Sequence, residues 1–439
     1  MRHDHGWKSA EVKAIRAGLL AWYDKRRRCL PWRGDSPPFL SVVEDRAPGY
    51  AASVPVSPYG TWVSEIMCQQ TRVETVVDYY VRWMEKFPTV HALAAAEPDQ
   101  VNAAWAGLGY YRRARMLHDG AKFVVETYNG DMPNDIERLK AIPGIGPYTA
   151  GAIASVAFNV PAPLVDGNVI RVVSRLRAIG ADPKHKPLLD HCWESGQTLI
   201  DADRPGDFNQ ALMELGARLC SIQNPSCESC PVQAQCYAYT ESQVTQYPLK
   251  TRKKAPRNEA LNILVLTTEL TDGEIAYLMT KRPEGGLLAG QWEFPAFKMA
   301  NDDVIPAYKA RQKVSNDQLC DLFGLSTMKA IVPYIESRAD KGDLVHIFSH
   351  VKHHMGVEHV QLTPNEALAT LFSPAYAWMT PSKLAEAGVT TGMKKVMQLV
   401  HPTKAAKKTK APREPTSRKV KCRVEAAPIT SFFKPEPKA

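Results

Sequence analysis

No apolar run in the 439 residues approaches the ~20 needed to cross a bilayer, so neither a membrane span nor a membrane partner is expected. The opening residues, MRHDHGWKSAEV, hold neither an apolar signal core nor an Arg/Ser-rich, acid-poor leader. A nuclear protein is expected, with a mitochondrial pool made from another start left open. Positive charge is scarcer than its total implies. The net charge is +9, but residues 401–439 carry 11 Lys/Arg against 3 Asp/Glu, a net of +8. The preceding 400 residues therefore carry only +1. A body so close to neutral cannot hold a polyanion by bulk field and must use local patches and backbone donors. Cysteine is thinly scattered except in one 17-residue window holding Cys220, Cys227, Cys230 and Cys236. Without a secretory signal, that cluster reads as metal ligation and not as disulfides.

A chain of this length exceeds one ordinary domain, so two folded domains plus tails are expected. Residues 139–176 organise the first. L139-x-x-I142-P143-G144-I145-G146 is a tight turn between two helix-favouring runs. Gly144 and Gly146 allow positive φ and close backbone approach, and N–H groups opening a new helix form an anion site. Twenty residues on, Val165-Asp166-Gly167-Asn168 places an acid in a short loop before another helical run. Asp166 is also what a plain helix N-cap looks like.

Upstream, Tyr59–Arg72 reads as one helix, with Glu65, Gln69 and Arg72 at i, i+4, i+7 on a stripe apart from Trp62, Ile66 and Met67. A single Glu on a helix is by default solvated. Here the neighbourhood is poor in other charges, so burial could raise its pKa and keep a proton available. Gly107–Arg115 sets Arg112, Arg113 and Arg115 beside Tyr110 and Tyr111, either as a solvated helix face or as phosphate contacts with an aromatic wedge. The spacing Cys220-x6-Cys227-x2-Cys230-x5-Cys236 can close on one metal centre. Zinc competes, although zinc ribbons usually show two C-x2-C pairs.

Together these motifs resemble the helix–hairpin–helix base-excision DNA glycosylases, and within them the MutY-type adenine glycosylases. WVSEIMCQQT matches that family's signature nearly residue for residue. The resemblance implies that Glu65 protonates the departing adenine and that ionised Asp166 stabilises the oxocarbenium-like sugar. Tyr148 and Asn168 then orient these groups. Gln69, Gln70, Tyr110 and Arg112 would lie at the lesion, with Tyr110 intercalating, and Gly144 and Gly146 would hold the DNA backbone. The four cysteines would bind a structural [4Fe–4S] cluster. Endonuclease III-type enzymes, which also cut the strand, carry a Schiff-base lysine two residues after the last hairpin glycine. That place is Tyr148, and Lys140 precedes the hairpin, so a monofunctional enzyme is expected. Adenine must leave the stack to be reached, so base flipping is implied.

The domain bounds read as 1–237 for the mainly α glycosylase with its iron–sulfur loop, 238–258 for a basic linker, 259–400 for a second domain and 401–439 for a disordered tail. Gly34–Pro58 is proline-rich, irregular and an apparent insertion. In the second domain, strands are expected over Leu261–Thr268, Ile275–Lys281, Leu344–His350 and Gly356–Leu362, and a helix near Ala307–Phe323. This α+β pattern resembles a Nudix fold, but Ala307-Tyr-Lys-Ala-Arg-Gln-Lys-Val lacks the glutamates that pyrophosphate hydrolysis needs. The resemblance instead implies recognition of 8-oxoguanine through Phe348, Ser349 and His350. The tail's Ile429, Phe432 and Phe433 resemble a sliding-clamp-binding motif, although its usual leading Gln is Ala426. The expected protein is a monomer acting on double-stranded DNA with adenine opposite 8-oxoguanine, or on A:G. The alternatives are an endonuclease III-like pyrimidine glycosylase with strand-cutting activity, which Tyr148 disfavours, and a non-catalytic lesion binder, which the pairing of Glu65 with Asp166 disfavours.

Overall fold

Helix α1 (Ser9–Arg26) buries Val12, Ile15, Leu19 and Tyr23, the three-and-four spacing of an amphipathic helix. It opens the part of the computed structural model that is described: residues 5–42, 55–249, 255–270, 272–283, 290–300, 304–348, 351–364, 376–387 and 389–401. The middle of the proline-rich stretch, Ser349, His350 and the tail motif with Ile429, Phe432 and Phe433 lie outside these residues.

Among the described residues, ten helices follow α1 in the order α2 (Pro58–Cys68), α3 (Val73–Lys86), α4 (Val90–Ala94), α5 (Pro98–Trp105), α6 (Arg112–Tyr128), α7 (Ile136–Ala141), α8 (Pro147–Phe158), α9 (Gly167–Leu176), α10 (Lys186–Leu199) and α11 (Pro205–Arg218). They pack around two hydrophobic clusters. One joins α2, α3, α5 and α6 around the fully buried Trp62, Trp83 and Trp105, with Trp83 edge-on to Trp105 at 5.5 Å. The other joins α1, α9, α10 and α11 through Ile15, Leu19, Val173, Leu176, Phe208 and Leu212. Helix α8 lies between them and gives Ile153 to the first and Ala152 to the second. A helix with apolar partners on opposite sides must be apolar nearly all round, and residues Thr149–Ser155 are all buried.

The turn between α7 and α8 has the expected form but divides its glycines differently. Gly144 sits at φ 85°, and a Cβ there would also lie 2.9 Å from Met116 Cβ. Gly146 is extended at φ −93° and is the N-cap of α8, so positive φ is not why it is glycine. A Cβ on Gly146 would meet nothing within 4 Å, so no protein atom in the structure crowds this position.

After the short α12 (Tyr237–Thr240) the character changes to β1 (Arg257–Glu269), β2 (Ile275–Lys281), β3 (Trp292–Glu293), β4 (Ala296–Lys298), α13 (Tyr308–Phe323), α14 (Met328–Ile331), β5 (Ile335–Ile347), β6 (Val351–Leu362), β7 (Tyr376–Met379), α15 (Pro381–Ala387) and α16 (Thr391–Val400). The sheet runs β3-β2-β1-β6-β5, with β4 on β1 and β7 on β2. Strands β1 and β6 pair in parallel from Arg257–Val351 to Thr268–Leu362. Strand β1 is buried without interruption from Ile263 to Thr268 because helices cover both faces. Leu384, Met393 and Val396 close one face, and Leu319, Phe323 and Ile331 close the other. Residues before and after the 238–258 connector do not mix in any of the four clusters. By compactness, Met1–Val400 form one unit.

Strand β5 starts at Ile335, well before the expected Leu344. Its first half, Glu-Ser-Arg-Ala-Asp-Lys-Gly, has no apolar alternation because it is a bulged edge strand exposed along much of its length. Helix α13 turns Arg311 inward, onto Asp340 at 2.8 Å and Asp343 at 3.4 Å, and leaves its own Asp317 and Asp321 exposed. The helix that would carry metal-binding glutamates in a Nudix hydrolase thus presents a buried cation.

Candidate active site

Glu65 lies on α2 and Asp166 at the start of α9, so the two carboxylates come from opposite sides of the two-cluster body. Between them, Tyr148 stands in the first turn of α8. All three line one solvent-open cleft of roughly 1660 Å3, with Asn168, Gln69, Gln70, Trp32, Arg28, Arg33, Met213 and Glu214.

The Tyr148 hydroxyl donates a short hydrogen bond to Oε2 of Glu65 and also lies 3.3 Å from Met213 Sδ. Burial pushes the Glu65 carboxyl up from 4.5 to about 7. The Asp166 charge adds to that rise, while the Tyr148 hydrogen bond and the Arg33 charge oppose it. Burial also holds the Tyr148 hydroxyl well above its ordinary value, so it stays a donor. A carboxyl poised near neutrality, facing an open cleft, can give up a proton at physiological pH.

Asp166 is both the N-cap of α9 and an acid lining the cleft. Its Oδ1 accepts from the Val169 N–H at 2.7 Å, and its Oδ2 accepts from Asn168 Nδ2 at 2.7 Å. Burial raises its pKa too, but these donors and the Arg171 guanidinium pull the other way. Sequence reasoning expected the environments to drive the two acids apart. The structure instead desolvates both and supplies the compensating donors mainly to Asp166. Asn168 is fixed in turn by Arg171, whose Nη2 reaches Asn168 Oδ1 and the Gly216 carbonyl, each at 2.7 Å. Arg171 Nε donates to the Cys220 carbonyl at 2.8 Å. Helix α11 passes so close here that a Cβ on Gly216 would lie 2.6 Å from Asn168 Cβ.

Three expectations need correction. Helix α2 ends at Cys68, with Gln69 at φ −60°, ψ 115° and Gln70 at φ 59°, so Glu65, Gln69 and Arg72 do not share a helical stripe. The surroundings of Glu65 are not poor in charge, because Arg33 faces it. The arginines after Tyr110 are not equivalent: Arg112 is exposed, whereas Arg113 is 8% exposed and bonded to backbone carbonyls. Tyr110 is 49% exposed at φ 49°, which leaves its ring available outside the protein. Lys140 pairs with Glu137 at 2.8 Å and is not among the residues lining the cleft.

Sequence reasoning missed the ion cluster under the cleft. Glu214 on α11 is buried and receives Arg28 Nε at 2.8 Å and Arg33 Nη2 at 3.2 Å, and the two guanidinium charges hold its carboxyl down at about 2 against the cost of burial. These residues lie 186 and 181 positions apart in the chain, and no local pattern could have paired them.

The four cysteines line one small, mostly apolar pocket with Val172 and Leu176 of α9 and Leu215 of α11. Arg175, nearly fully buried, ties the loop down through the carbonyls of Cys220, Ser221 and Ile222 at 3.1, 2.7 and 3.1 Å. Among the described residues no group of three or more His, Cys, Asp or Glu is placed to hold a single metal ion.

In the second body Phe348 ends the described part of the β5–β6 turn. Its ring stands edge-on to His346 at 4.6 Å and to His353 at 4.9 Å, and its N–H donates to the Val351 carbonyl at 2.7 Å.

Residues 63–198 match the family model of the HhH-GPD superfamily base excision DNA repair proteins, and residues 268–399 match a NUDIX domain. Fold and site therefore define a helix–hairpin–helix DNA glycosylase with an appended Nudix-like domain. An adenine DNA glycosylase of Arabidopsis thaliana is 42% identical over 88% of this chain, which spans 64% of that relative's length. The Mus musculus adenine DNA glycosylase is 38% identical over 89% of this chain and 78% of its own. That of Schizosaccharomyces pombe is 34% identical over 88% and 89%. The chain belongs to the adenine DNA glycosylase family.

Proposed function

We propose that this chain hydrolyses the N-glycosidic bond of a flipped-out adenine paired with 8-oxoguanine, without cutting the strand. The observation that carries the reading is the Glu65–Tyr148–Asp166 arrangement: a desolvated carboxyl near neutrality facing a carboxylate rich in donors. Adenine is a poor leaving group until its ring is protonated, and Glu65 delivers that proton. Departure leaves positive charge on the sugar, which Asp166 stabilises from the other side. Tyr148 holds the acid in place and offers no amine for a Schiff base, which supports release without lyase chemistry.

The same reading gives the cysteine loop a [4Fe–4S] cluster held by Cys220, Cys227, Cys230 and Cys236. The cluster would supply structural cross-linking of that loop. The chain's own contribution is Arg175, which gathers the loop carbonyls, and Arg171, which links the loop to Asn168. Recognition of the opposite base falls to the turn at Phe348, whose companions Ser349 and His350 lie outside the described residues, as does the tail motif proposed for a sliding clamp.

The test is a labelled duplex with adenine opposite 8-oxoguanine, incubated with protein and analysed with and without hot alkali. Strand breaks are expected only after alkali. Abundant cleavage without it would overturn monofunctionality, and adenine release absent under both conditions would leave a lesion-binding protein.

A further inference from the structure

The arginine that lies three residues after Tyr110 is not on the surface. The Arg113 guanidinium fans out to two separate segments. Nη1 donates to the carbonyls of Ile66 at 3.0 Å, Met67 at 2.8 Å and Gln69. Nη2 donates to Thr71 Oγ1 at 3.1 Å and to the carbonyls of Leu108 at 3.2 Å and Gly109 at 3.0 Å. The first group is the end of α2, immediately after Glu65, together with the turn bearing Gln69 and Gln70. The second joins Thr71 of that same turn to Leu108 and Gly109 in the loop that presents Tyr110. The guanidinium also lies 5.1 Å from the Trp105 ring centre and 5.6 Å from that of Tyr110.

Each contact answers a local need. The last carbonyls of α2 have no partner within the helix, and a cation at a helix C-terminus satisfies them and suits the dipole. Gln70 at φ 59° and Tyr110 at φ 49° occupy left-handed backbone that non-glycine residues adopt at a cost. Both turns are held there by carbonyls bonded to the same planar group. Only a fork of five N–H donors can serve this many acceptors, and lysine, a point charge with three, cannot.

We infer that Arg113 is a positioning residue for base extrusion: it locks the Gln69–Gln70 turn and the Tyr110 loop into one rigid probe and ties that probe to the end of the helix bearing Glu65. This rests on the function proposed above and deepens it. In this arrangement the wedge that opens the stack and the acid that meets the extruded adenine keep a fixed separation, because one guanidinium sets both. The alternative, a phosphate contact, conflicts with 8% exposure and with protein acceptors on both terminal nitrogens, Nε alone being left without one.

The experiment uses the full chain with Arg113→Lys and Thr71→Val, and duplexes carrying either adenine or 2-aminopurine opposite 8-oxoguanine. Unstacking of 2-aminopurine is read by fluorescence, adenine release by single-turnover kinetics, and binding by its salt dependence. Arg113→Lys should lower both the fluorescence rise and the release rate by about tenfold or more, as loss of hydrogen bonds to a charged group implies. Thr71→Val should do so by a smaller factor. The salt slope of binding and the pH midpoint of release should stay at wild-type values, because neither a phosphate contact nor Glu65 is altered. Wild-type extrusion and release in folded Arg113→Lys would overturn the inference. If that variant does not fold, full extrusion by Thr71→Val overturns it. A changed salt slope with normal extrusion would also overturn it, in favour of a phosphate contact. Extrusion without any adenine release by the wild-type protein would refute the proposed chemistry alone, because the fluorescence still scores Arg113.

Discussion

The Tyr148 hydroxyl, from the first turn of α8, donates its hydrogen bond to the Glu65 carboxylate on α2, 83 residues earlier in the chain. That bond opposes the burial that raises Glu65 to about 7. The alkaline side of the activity profile therefore depends on Tyr148, although the proton belongs to Glu65.

Replacing Glu65 by Gln removes the proton and keeps the shape. Adenine release should fall by about 10²–10⁴, the usual worth of a general acid. Binding to the damaged duplex should persist. Single-turnover release and fluorescence anisotropy on the same preparation check both; surviving release would strip Glu65 of the acid role.

Tyr148→Phe should shift the pH profile. Release needs protonated Glu65, so activity is high below its pKa and falls as pH rises through about 7. Without the hydroxyl the carboxylate loses a donor and its pKa rises further, moving the alkaline limb upward by about half to one pH unit for a hydrogen bond of ordinary strength. A limb that stays put would show that the bond does not tune the acid.

Asn168→Ala should move the opposite limb. Asp166 must be ionised, so activity falls as pH drops through its pKa. Nδ2 of Asn168 helps hold that pKa down. Losing it should raise the acid limb and narrow the profile from below, with a lower maximum. An unchanged acid limb would show that Asn168 does not support the charge.

Stability carries the same signature. The folded pKa of Glu65 lies above its ordinary value of 4.5, so its contribution to folding is fully present below about 4.5 and is lost as pH rises through about 7. Glu65→Gln, which never ionises, should melt higher than wild type at pH 8 and equally at pH 4.5, the two conditions bracketing that range. Calorimetry at both pH values decides. Equal melting at both would mean that the carboxyl is not desolvated.

The cysteine loop predicts metal content. Purified protein should contain about four iron and four inorganic sulfide per chain if the site holds a [4Fe–4S] cluster. Cys230→Ser should lose most of both and loosen the segment from Cys220 to Cys236. Stoichiometric zinc in place of iron would overturn the cluster.

Much of this protein was legible before any coordinates. The turn around Gly144, the N-capping Asp166 and the cysteine spacing are all settled by residues within a few positions of one another. Local geometry follows from such neighbours through periodicity, capping and φ preference. The polar half of β5 was not legible, because an edge strand exposed along much of its length has no alternation to read. Nor was the division among the three arginines after Tyr110, since burial of Arg113 depends on carbonyls 44 to 47 residues upstream. The same holds at the cleft. The sequence by itself determined which acids, amides and thiols were present and on which elements they stood. Only the tertiary structure decided that both carboxyls are desolvated and that most of the compensating donors go to Asp166. A pKa is set by whatever surrounds the group, and here its walls, Arg33, Met213 and Arg171, are brought in by helices far apart in the chain.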